Sequence, residues 1–314
     1  MDNTFAQLAM FFFIYGFLGW CVEVAFAAVK ESRFVNRGFL NGPICPIYGF
    51  GVVSVVLLLR PLAHSLPLLF LGAVAVTTLI ELLTGFLLEK LFHARWWDYS
   101  PRKFNIGGYV CPLFSLIWGA ACVVVVRLIH PAVDHVVRLL PDTALYTVLG
   151  ALFAVLAIDL AATVATIHRL GQRLKRLNDL ASEIHALSDE LGRAISGGAL
   201  SAKRKAEASE VLLSEGVRRL GEIRSETSQR IDESRRAMTE RIGQGVGAGK
   251  QRLIALKERM AGALDEKPFG QSRLINAFPH LTSASYPEAL AALRKHYARK
   301  RRAKKDRRPP KDAA

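Results

Sequence analysis

Features that mark common enzyme and metal-binding classes are scarce in this 314-residue sequence. It has four cysteines, and no two of them are separated by two residues: Cys21, Cys45, Cys111 and Cys122. This spacing argues against a zinc knuckle and against the disulfide framework of a secreted protein. Neither a Ser/His pair nor a metal-ligating cluster accompanies the apolar segments. The sequence therefore predicts no catalytic residue, no metal site and no cofactor.

A phosphate-binding loop is also missing. The segment Gly245–Lys250 is rich in glycine, but the P-loop pattern needs a glycine five positions before the Gly-Lys pair and Ser or Thr after it. Those two positions are Gln244 and Gln251. The chain is therefore predicted to be no enzyme and to have no ATPase of its own, so an ATP-driven role needs a separate subunit.

Charged residues are scarce in the first half and abundant in the second. Residues 1–168 contain ten of the 42 Lys and Arg residues, and the other 32 follow. Such asymmetry predicts a tail that contacts an anionic partner. Anionic lipid is favoured, because a basic residue close to a membrane surface contributes about 1 kcal/mol. Nucleic acid is a weaker alternative, since the tail has few aromatic residues for base stacking.

Long apolar runs fill the first half. A helix needs about 20 apolar residues to cross about 30 Å of hydrocarbon. The run Ile44–Leu59 is short and contains Gly49, so it is either a tilted span or a re-entrant segment. The candidate spans are Phe5–Val29, Ile44–Leu59, Pro67–Leu88, Tyr109–Ile129 and Ala144–Ile167.

The basic residues between the runs predict their orientation. They concentrate after the first, third and fifth runs, which by the positive-inside rule face the cytoplasm. The N-terminus has no Lys or Arg, and the loop after the second run has only Arg60. This alternation predicts five spans in a bacterial inner (plasma) membrane, with the N-terminus outside and the C-terminus cytoplasmic.

The first four runs show an internal similarity. A shift of 66 residues aligns pairs of glycine, glutamate, phenylalanine and Cys-Pro positions. If this reflects duplication, the repeats are parallel two-span units, and many transporter folds place their sites between such repeats. Chance similarity between apolar segments is the open alternative. The aligned pairs are Gly19 and Gly85, Glu23 and Glu89, Phe26 and Phe92, Gly42 and Gly108, and Cys45-Pro46 and Cys111-Pro112.

Two carboxylates stand out within the apolar runs, Glu23 and Glu81. An ionisable side chain in the bilayer costs several kcal/mol, so it usually faces a bundle interior, a cavity or a partner. Each is either part of a buried pair or site, or makes a structural hydrogen bond. The candidate counter-charges are Arg33, Arg37 and Arg127.

Two further carboxylates have simpler explanations. Glu89 lies near the end of the third run, where it is expected to reach the lipid headgroups. Asp159 has Thr163 and Thr166 one and two turns further along its helix, which predicts a local hydrogen-bonded network.

Two connecting loops combine glycines, aromatics and polar side chains. Asp98 is expected either to cap the following turn or to pair with Arg37. The glycines and proline predict structured turns: Gly38, Gly42, Pro43, Gly49 and Gly108. The predicted functional cluster at the cytoplasmic face is Glu23, Arg37, Asn41, Glu81, Trp97, Asp98, Tyr99 and Asn105. It is either a ligand site or a structural lock.

The motifs of these loops resemble a bacterial family, the putative ABC-transporter type IV proteins. The resemblance covers residues 8–130 and includes Arg37-Gly38-Phe39, Gly42-Pro43, Tyr48-Gly49-Phe50-Gly51, Trp97-Asp98-Tyr99-Ser100, Asn105 and Gly108. The tail fragment Asn276–Leu281 is similar to tails of longer members. The resemblance implies a small multi-span membrane protein, often called an ABC transporter permease, with no assigned substrate.

After residue 168 the apolar residues follow heptad-like spacing, beginning with Leu170, Leu174 and Leu177. This spacing predicts helices that pack on a partner helix. Breaks are expected at Ser196–Gly198 and at Gly243–Gly249. The arm is either an antiparallel helical hairpin or a homodimeric coiled coil.

The end of the chain is predicted to contain one last helix. Ser285-Tyr286-Pro287-Glu288 has the capping-box pattern, and the helix is expected to end at about Lys300. A disordered basic tail, residues 299–314, is predicted to follow.

These patterns together predict an all-α, polytopic membrane helix bundle with a C-terminal cytoplasmic helical or coiled-coil arm. The predicted domains are a five-helix transmembrane domain (1–168), the arm (169–265), a short tail region with a terminal helix (266–298) and the basic tail. The favoured function is a permease-like or transport-associated component that works with the bilayer and a separate ATPase or membrane subunit. A membrane-anchored scaffold that acts or oligomerises through its arm is the alternative, and an intramembrane lipid-modifying enzyme is the least favoured.

Overall fold

The computed structural model describes residues 4–216 and 223–306, which are mostly helical, as predicted. In the first half the helices are α1 (Thr4–Glu31), α2 (Pro46–Leu59), α3 (Leu66–Phe92), α4 (Pro112–Val124) and α5 (His130–Arg138). They are followed by α6 (Asp142–Gly216), α7 (Ile223–Asp265), α8 (Gln271–Ala277) and α9 (Pro287–Asp306). Two short strands, β1 (Ala94–Arg95) and β2 (Thr282–Ser283), pair antiparallel.

The chain divides into two compact units. The first, the membrane unit, comprises Met1–Leu174 and Lys267–Ala314, and the second, the helical unit, comprises Lys175–Glu266. The predicted domains separate the region 266–298 from the transmembrane domain. In the structure, Lys267–Ala314 instead belongs to the same compact unit as Met1–Leu174.

Proline sets the start of two helices. Pro46 and Pro112 open α2 and α4, where the missing N–H costs nothing and the fixed φ favours the helix. The preceding residues, Cys45 and Cys111, are both extended. The two Cys-Pro positions that the 66-residue shift aligns therefore have the same local structure. The duplication itself remains a prediction.

Four helices in the described ranges are long and apolar enough to cross a membrane: Phe5–Glu31, Leu66–Phe92, Pro112–Arg138 and Asp142–Gly197. The helix Pro46–Leu62, which includes the 3-10 turn after α2, is apolar but shorter. Large apolar side chains such as Val29, Leu71 and Ile158 are exposed on these helices. Exposed apolar surface of this extent is typical of contact with lipid.

The predicted run Tyr109–Ile129 extends further than expected, because α4 continues into α5 through a π-helical stretch, Val125–Ile129. The next turn contains Pro131, which has no N–H for the α-helical bond to the fourth residue before it. A π-helical stretch at this position widens the turn without ending the helix.

The short helix α2 lies at the centre of the membrane unit. Its residue Val52 is buried in one cluster with α1, α5 and α6, which includes Phe11, Val137 and Leu149. On another face, Val55 and Leu59 pack against α3 and α4 in a second cluster with Leu69, Ala73 and Cys122. Helix α2 therefore takes part in both of these apolar clusters of the membrane unit.

The helical unit has no break at the predicted glycines. Helix α6 continues through Ser196–Gly198, and α7 continues through Gly243–Gly249, so both predicted breaks are wrong. A Cβ on Gly249 would lie 2.5 Å from Cδ2 of Leu191, which shows how closely α6 and α7 approach. Arg176 and Glu266 pair at 3.7 Å at the other end. This order of contacts is that of an antiparallel pair. The coiled-coil and homodimer alternatives remain predictions.

The C-terminal segment folds around its own apolar residues. Leu274, Leu281, Leu290 and Leu293 are buried. The last helix begins at Pro287, and just before it the N–H of Tyr286 donates to the hydroxyl of Ser283. The helix also continues to Asp306, so the disorder predicted for 299–306 is wrong. Residues 307–314 lie outside the described residues.

Candidate functional site

Glu23 on α1 is held by residues of α2 and of the first connecting loop (residues 32–45). The hydroxyl of Tyr48 donates to Glu23 Oε1 at 2.6 Å, and Arg37 Nε lies 3.6 Å from Oε2. One turn before Glu23, a Cβ on Gly19 would lie 2.3 Å from Cγ of Tyr48. The tyrosine ring therefore packs against the α1 backbone, and the glycine makes this approach possible.

The carboxylate of Glu81 on α3 is buried, with 7% of the residue exposed. The hydroxyl of Tyr99 donates to its Oε1 at 3.2 Å. Tyr99 belongs to the second connecting loop (residues 93–111), and its ring stacks on Phe114 of α4 at a centroid distance of 4.8 Å. Burial raises the pKa of Tyr99, and the nearby charges of Glu81 and Glu23 raise it further. Two carboxylates thus share the surroundings of one tyrosine.

Glu89 is paired within the protein, which corrects the expectation that it reaches out to the headgroups. Arg95 Nε lies 2.5 Å from its Oε2, and the Tyr109 hydroxyl donates to the same oxygen at 2.8 Å. A Cβ on Gly85, one turn earlier, would lie 2.8 Å from Cδ1 of Tyr109. This pair raises the pKa of Arg95, chiefly through its hydrogen bond to Glu89.

The surroundings of Glu89 therefore repeat those of Glu23. In each case a glycine one turn before the glutamate admits a tyrosine ring, whose hydroxyl reaches the carboxylate, and an arginine supplies the counter-charge. The glutamates and glycines are related by the 66-residue shift, but the tyrosines, Tyr48 and Tyr109, are not. The 66-residue shift therefore aligns the two glutamates that accept these hydrogen bonds, but not the tyrosines that donate them.

The first connecting loop is fixed by Asp159 of α6. Asn41 N–H donates to Asp159 Oδ1 at 3.0 Å, and Gly42 N–H donates to Oδ2 at 2.7 Å. The side-chain amide of Asn41 also donates to Thr163 Oγ1 at 2.9 Å. A Cβ on Gly42 would lie 2.9 Å from Asp159 Oδ2, so glycine allows the carboxylate to reach the backbone. The local network predicted for Asp159 includes Thr163, but the loop contributes most of its bonds.

The second connecting loop is fixed mainly by its own side chains. Asn105 donates to the carbonyl of Arg102 at 2.7 Å and accepts from the N–H of Gly108 at 3.0 Å. Gly108 has a φ of +77°, a conformation that favours glycine. The indole N–H of Trp97 donates to the carbonyl of Tyr109 at 2.8 Å. These bonds make the loop a compact local structure.

Asp98 caps a turn, and the alternative pairing with Arg37 is wrong. Its Oδ1 accepts the N–H of Ser100 at 2.9 Å and lies 3.9 Å from Arg95 Nη1. Hydrogen bonds from Ser100 hold the pKa of Asp98 below its ordinary value, and the charges of Arg95 and His280 act in the same direction.

The C-terminal segment contacts both connecting loops, which the sequence analysis did not predict. Arg273 of α8 donates to the carbonyls of Gly38 and Phe39 at 2.8 and 3.3 Å. Burial lowers the pKa of Arg273, and the charge of Asp159 opposes that shift. In the second loop, β1 pairs with β2, and His93 accepts a further backbone bond from Ala284.

A buried side-chain cluster anchors this segment to the base of α6. Arg173, which is 2% exposed, donates to Gln271 Oε1 at 3.0 Å and to the Tyr297 hydroxyl at 2.9 Å. The heptad-like pattern hides these contacts, because Arg173 reads as a solvent-exposed position between leucines. Arginine is rarely buried, so its burial with two polar partners marks a functional or structural role that is visible only in the three-dimensional structure.

The eight residues of the predicted cluster therefore lie in several local structures. Glu23 pairs with Arg37, and Glu81 pairs with Tyr99. Asn41 belongs to the Asp159 network, whereas Trp97, Asp98 and Asn105 organise the second loop. Among the predicted turn residues, Gly49 lies within α2, where a Cβ would be 2.5 Å from the carbonyl oxygen of Phe12. A Cβ on Gly38 would lie 3.1 Å from Cδ1 of Trp20, and the Gly38 N–H donates to Asn36 Oδ1. Pro43 lies in the bend before α2.

Metal-binding chemistry is not indicated by the described part of the chain, where no group of three or more His, Cys, Asp or Glu residues is placed to hold an ion. The four cysteines are free thiols, and three of them are buried. Glu23, Glu81 and Glu89 each accept a hydrogen bond from a tyrosine hydroxyl.

Comparison with known proteins agrees with the resemblance drawn from the loop motifs. Residues 10–164 match the family described as putative ABC-transporter type IV. No curated protein and no solved structure matches the chain. The matched part includes α1 from Met10 onward, α2 to α5, both connecting loops and Asp159, but neither the helical unit nor the C-terminal segment. The apolar helices fit a membrane protein, and residues 10–164 are similar to the putative ABC-transporter type IV family.

Proposed function

We propose that the chain is a permease-like or transport-associated component of a bacterial inner membrane, acting with an ATPase supplied by another subunit. One observation carries the proposal: Glu23 and Glu81 lie on helices apolar enough to cross a membrane, and a tyrosine from another element donates to each carboxylate. Carboxylates within spans are costly and mark substrate or ion pathways more often than they serve packing alone. The family description supports the same class.

We further propose five spans, with α2 as the short one. The helix Pro46–Leu62 rises about 25 Å at 1.5 Å per residue, slightly less than the hydrocarbon thickness. Its burial between α1 and α3 supports a crossing, because neighbouring helices cover it on both sides. Cysteine labelling from either side of intact cells tests this topology. Single cysteines at Ser32 and Ser65, which flank α2, should be labelled from opposite sides in a cysteine-free background, and labelling from the same side would contradict five spans.

Purification of the tagged full-length chain tests the transport role. We expect an ATPase or a second membrane subunit to remain bound, and the assembly to hydrolyse ATP. A tagged multi-span protein of unrelated sequence controls for non-specific capture. A chain that purifies alone, and whose deletion changes neither growth nor uptake, would contradict the proposal.

Substitution of the carboxylates then tests the site. Glu81→Gln and Asp98→Asn are expected to impair uptake or growth while membrane insertion stays intact. Asp134→Asn is the matched control, because this carboxylate forms an exposed pair with Arg138 within one helix. If both variants behave like wild type while the deletion strain is impaired, transport survives as a function and the site assignment fails.

The scaffold function remains the second candidate, and the division of the chain favours it. The helical unit, Lys175–Glu266, is inserted between two parts of the membrane unit. Arg173 and Gln271, which are joined by a hydrogen bond of 3.0 Å, lie within a few residues of the two ends of the helical unit. Replacement of residues 175–266 by a short flexible linker therefore keeps the C-terminal segment. A permease should retain activity in this variant, whereas a scaffold that recruits partners through the arm should lose all of it.

A further inference from the structure

Two buried polar atoms on one face of α3 have no hydrogen-bond partner among the described residues. They are Oε2 of Glu81 and Oγ1 of Thr78. Residues three apart in a helix lie on the same face, and helical side chains lean toward the N-terminus. The Glu81 side chain therefore extends over the turn that contains Thr78. Buried polar atoms without partners are rare in folded proteins, so two on adjacent turns require an explanation.

The charged residues around Glu81 do not explain the unpartnered oxygen. Arg37 pairs with Glu23 and Arg95 pairs with Glu89, and Glu81 makes no ion pair within the described ranges. Tyr99 of the second connecting loop is the titratable group that touches it, through Oε1. On the other elements packed against α3, Tyr48 of α2 is bonded to Glu23, and Cys122 of α4 is a buried free thiol.

A neutral carboxyl group fits these contacts better than a carboxylate does. An ionised carboxylate that is buried without a cation and with one oxygen unbound pays most of its desolvation cost without compensation. A carboxylic acid removes the charge and turns Oε2 into a donor.

We propose that Glu81 is a proton-binding site in which the acid carries its proton on Oε2 while Oε1 accepts the Tyr99 hydroxyl. This goes beyond a transport role, because proton binding is testable without a known cargo. Tyr99 lies in a connecting loop, and Glu23, close enough to affect its pKa, has a partly exposed side chain. The loop side of the membrane unit is therefore where the proton exchanges.

Infrared difference spectroscopy of the full-length protein in liposomes tests the proposal. Spectra recorded between about pH 5 and pH 9, around the range where carboxyls shifted by burial titrate, should contain a carboxylic-acid C=O band that disappears as the pH rises. The band should be lost in Glu81→Gln and retained in Glu23→Gln, the matched control. Circular dichroism and gel filtration establish that each variant is folded.

A second variant keeps the test independent of that substitution. Tyr99→Phe removes the hydrogen bond to the C=O oxygen, so the band should persist but shift to higher frequency. A wild-type protein without a titrating carboxylic-acid band would overturn the proposal. So would a band that is unchanged in folded Glu81→Gln. Either failure would leave the transport proposal standing, because uptake is measured separately.

Discussion

The two connecting loops are held in place by different kinds of contact. The first, between α1 and α2, is held by distant residues, Asp159 of α6 and Arg273 of α8. The second, between α3 and α4, is held mainly by Asp98 and Asn105 within the loop itself. The first loop therefore depends on how α6 and the C-terminal segment are arranged. The second retains most of its own support.

The difference also separates the two parts of the predicted site. Glu23 depends on Arg37 of the first loop, whereas Glu81 depends on Tyr99 of the second. A substitution in α6 or in the C-terminal segment should therefore disturb the contacts of Glu23 more than those of Glu81. The following substitutions test this comparison, from the largest expected effect to the smallest.

Asp159→Ala should have the largest effect on stability. It removes a charged acceptor from two backbone N–H groups, and hydrogen bonds to charged groups contribute about 1.5–3 kcal/mol each. We expect a loss of about 3 kcal/mol, seen as a lower thermal-unfolding midpoint in detergent. Asp134→Ala, which removes an exposed pair, should cost less than about 0.5 kcal/mol. Equal effects of the two variants would contradict the role given to Asp159.

Arg273→Met should cost about 2 kcal/mol, since the carbonyls of Gly38 and Phe39 lose a charged donor. Arg252→Met, an exposed change in the helical unit, is the control and should be nearly neutral. Thermal unfolding in detergent compares the two variants.

The combination of Arg273→Met with Asp159→Ala tests whether both residues act on the first loop. Because they hold the same residues, the double variant should lose less stability than the two single losses together, by more than about 0.5 kcal/mol. Strict additivity would mean that the two contacts are independent.

Asn105→Ala should destabilise the second loop by between about 1 and 2 kcal/mol, because it leaves a carbonyl and the Gly108 N–H without their partner. Limited proteolysis should increase within residues 93–111 and not within residues 32–45. Its effect should add to that of Asp159→Ala, since the two share no contact. Increased cleavage in both loops would show that they are coupled.

Arg301→Gln should have the smallest effect. Burial lowers the pKa of Arg301 and the neighbouring Arg33 lowers it further, so the basic end of α9 lies close to the end of α1. Contact with anionic lipid would contribute about 1 kcal/mol or less. Thermal unfolding in nanodiscs should reveal a loss with anionic lipid and none with neutral lipid. Equal losses in both lipids would point to packing alone.

Much of the helical architecture follows from the sequence. The apolar runs predicted helices at the right places, and Pro46 and Pro112 marked where two of them begin. The helix breaks predicted at glycines were wrong, however. Gly197 and Gly243 lie inside helices because a glycine costs only about 1 kcal/mol relative to alanine, which the rest of a long helix outweighs.

The motifs also located the residues of the predicted site but not their partners. Tyr48 and Tyr109 donate to Glu23 and Glu89, but the 66-residue shift that aligns the two glutamates does not align the two tyrosines. Asp159 was assigned to its own helix, since a periodic pattern reveals the neighbours on one face and no contact from a distant loop.

By itself, the sequence determined that the first half of this protein belongs in hydrocarbon, because apolar length and the scarcity of charge depend only on the order of residues. The tertiary structure alone decided which hydroxyl, arginine or backbone group meets each carboxylate. It also decided that residues 267–306 return to the membrane unit. The contacts of Asp159 and Arg273 with the first loop join residues more than a hundred positions apart, and those of Glu23, Glu81 and Glu89 join different elements, so their formation depends on how the helices and loops pack.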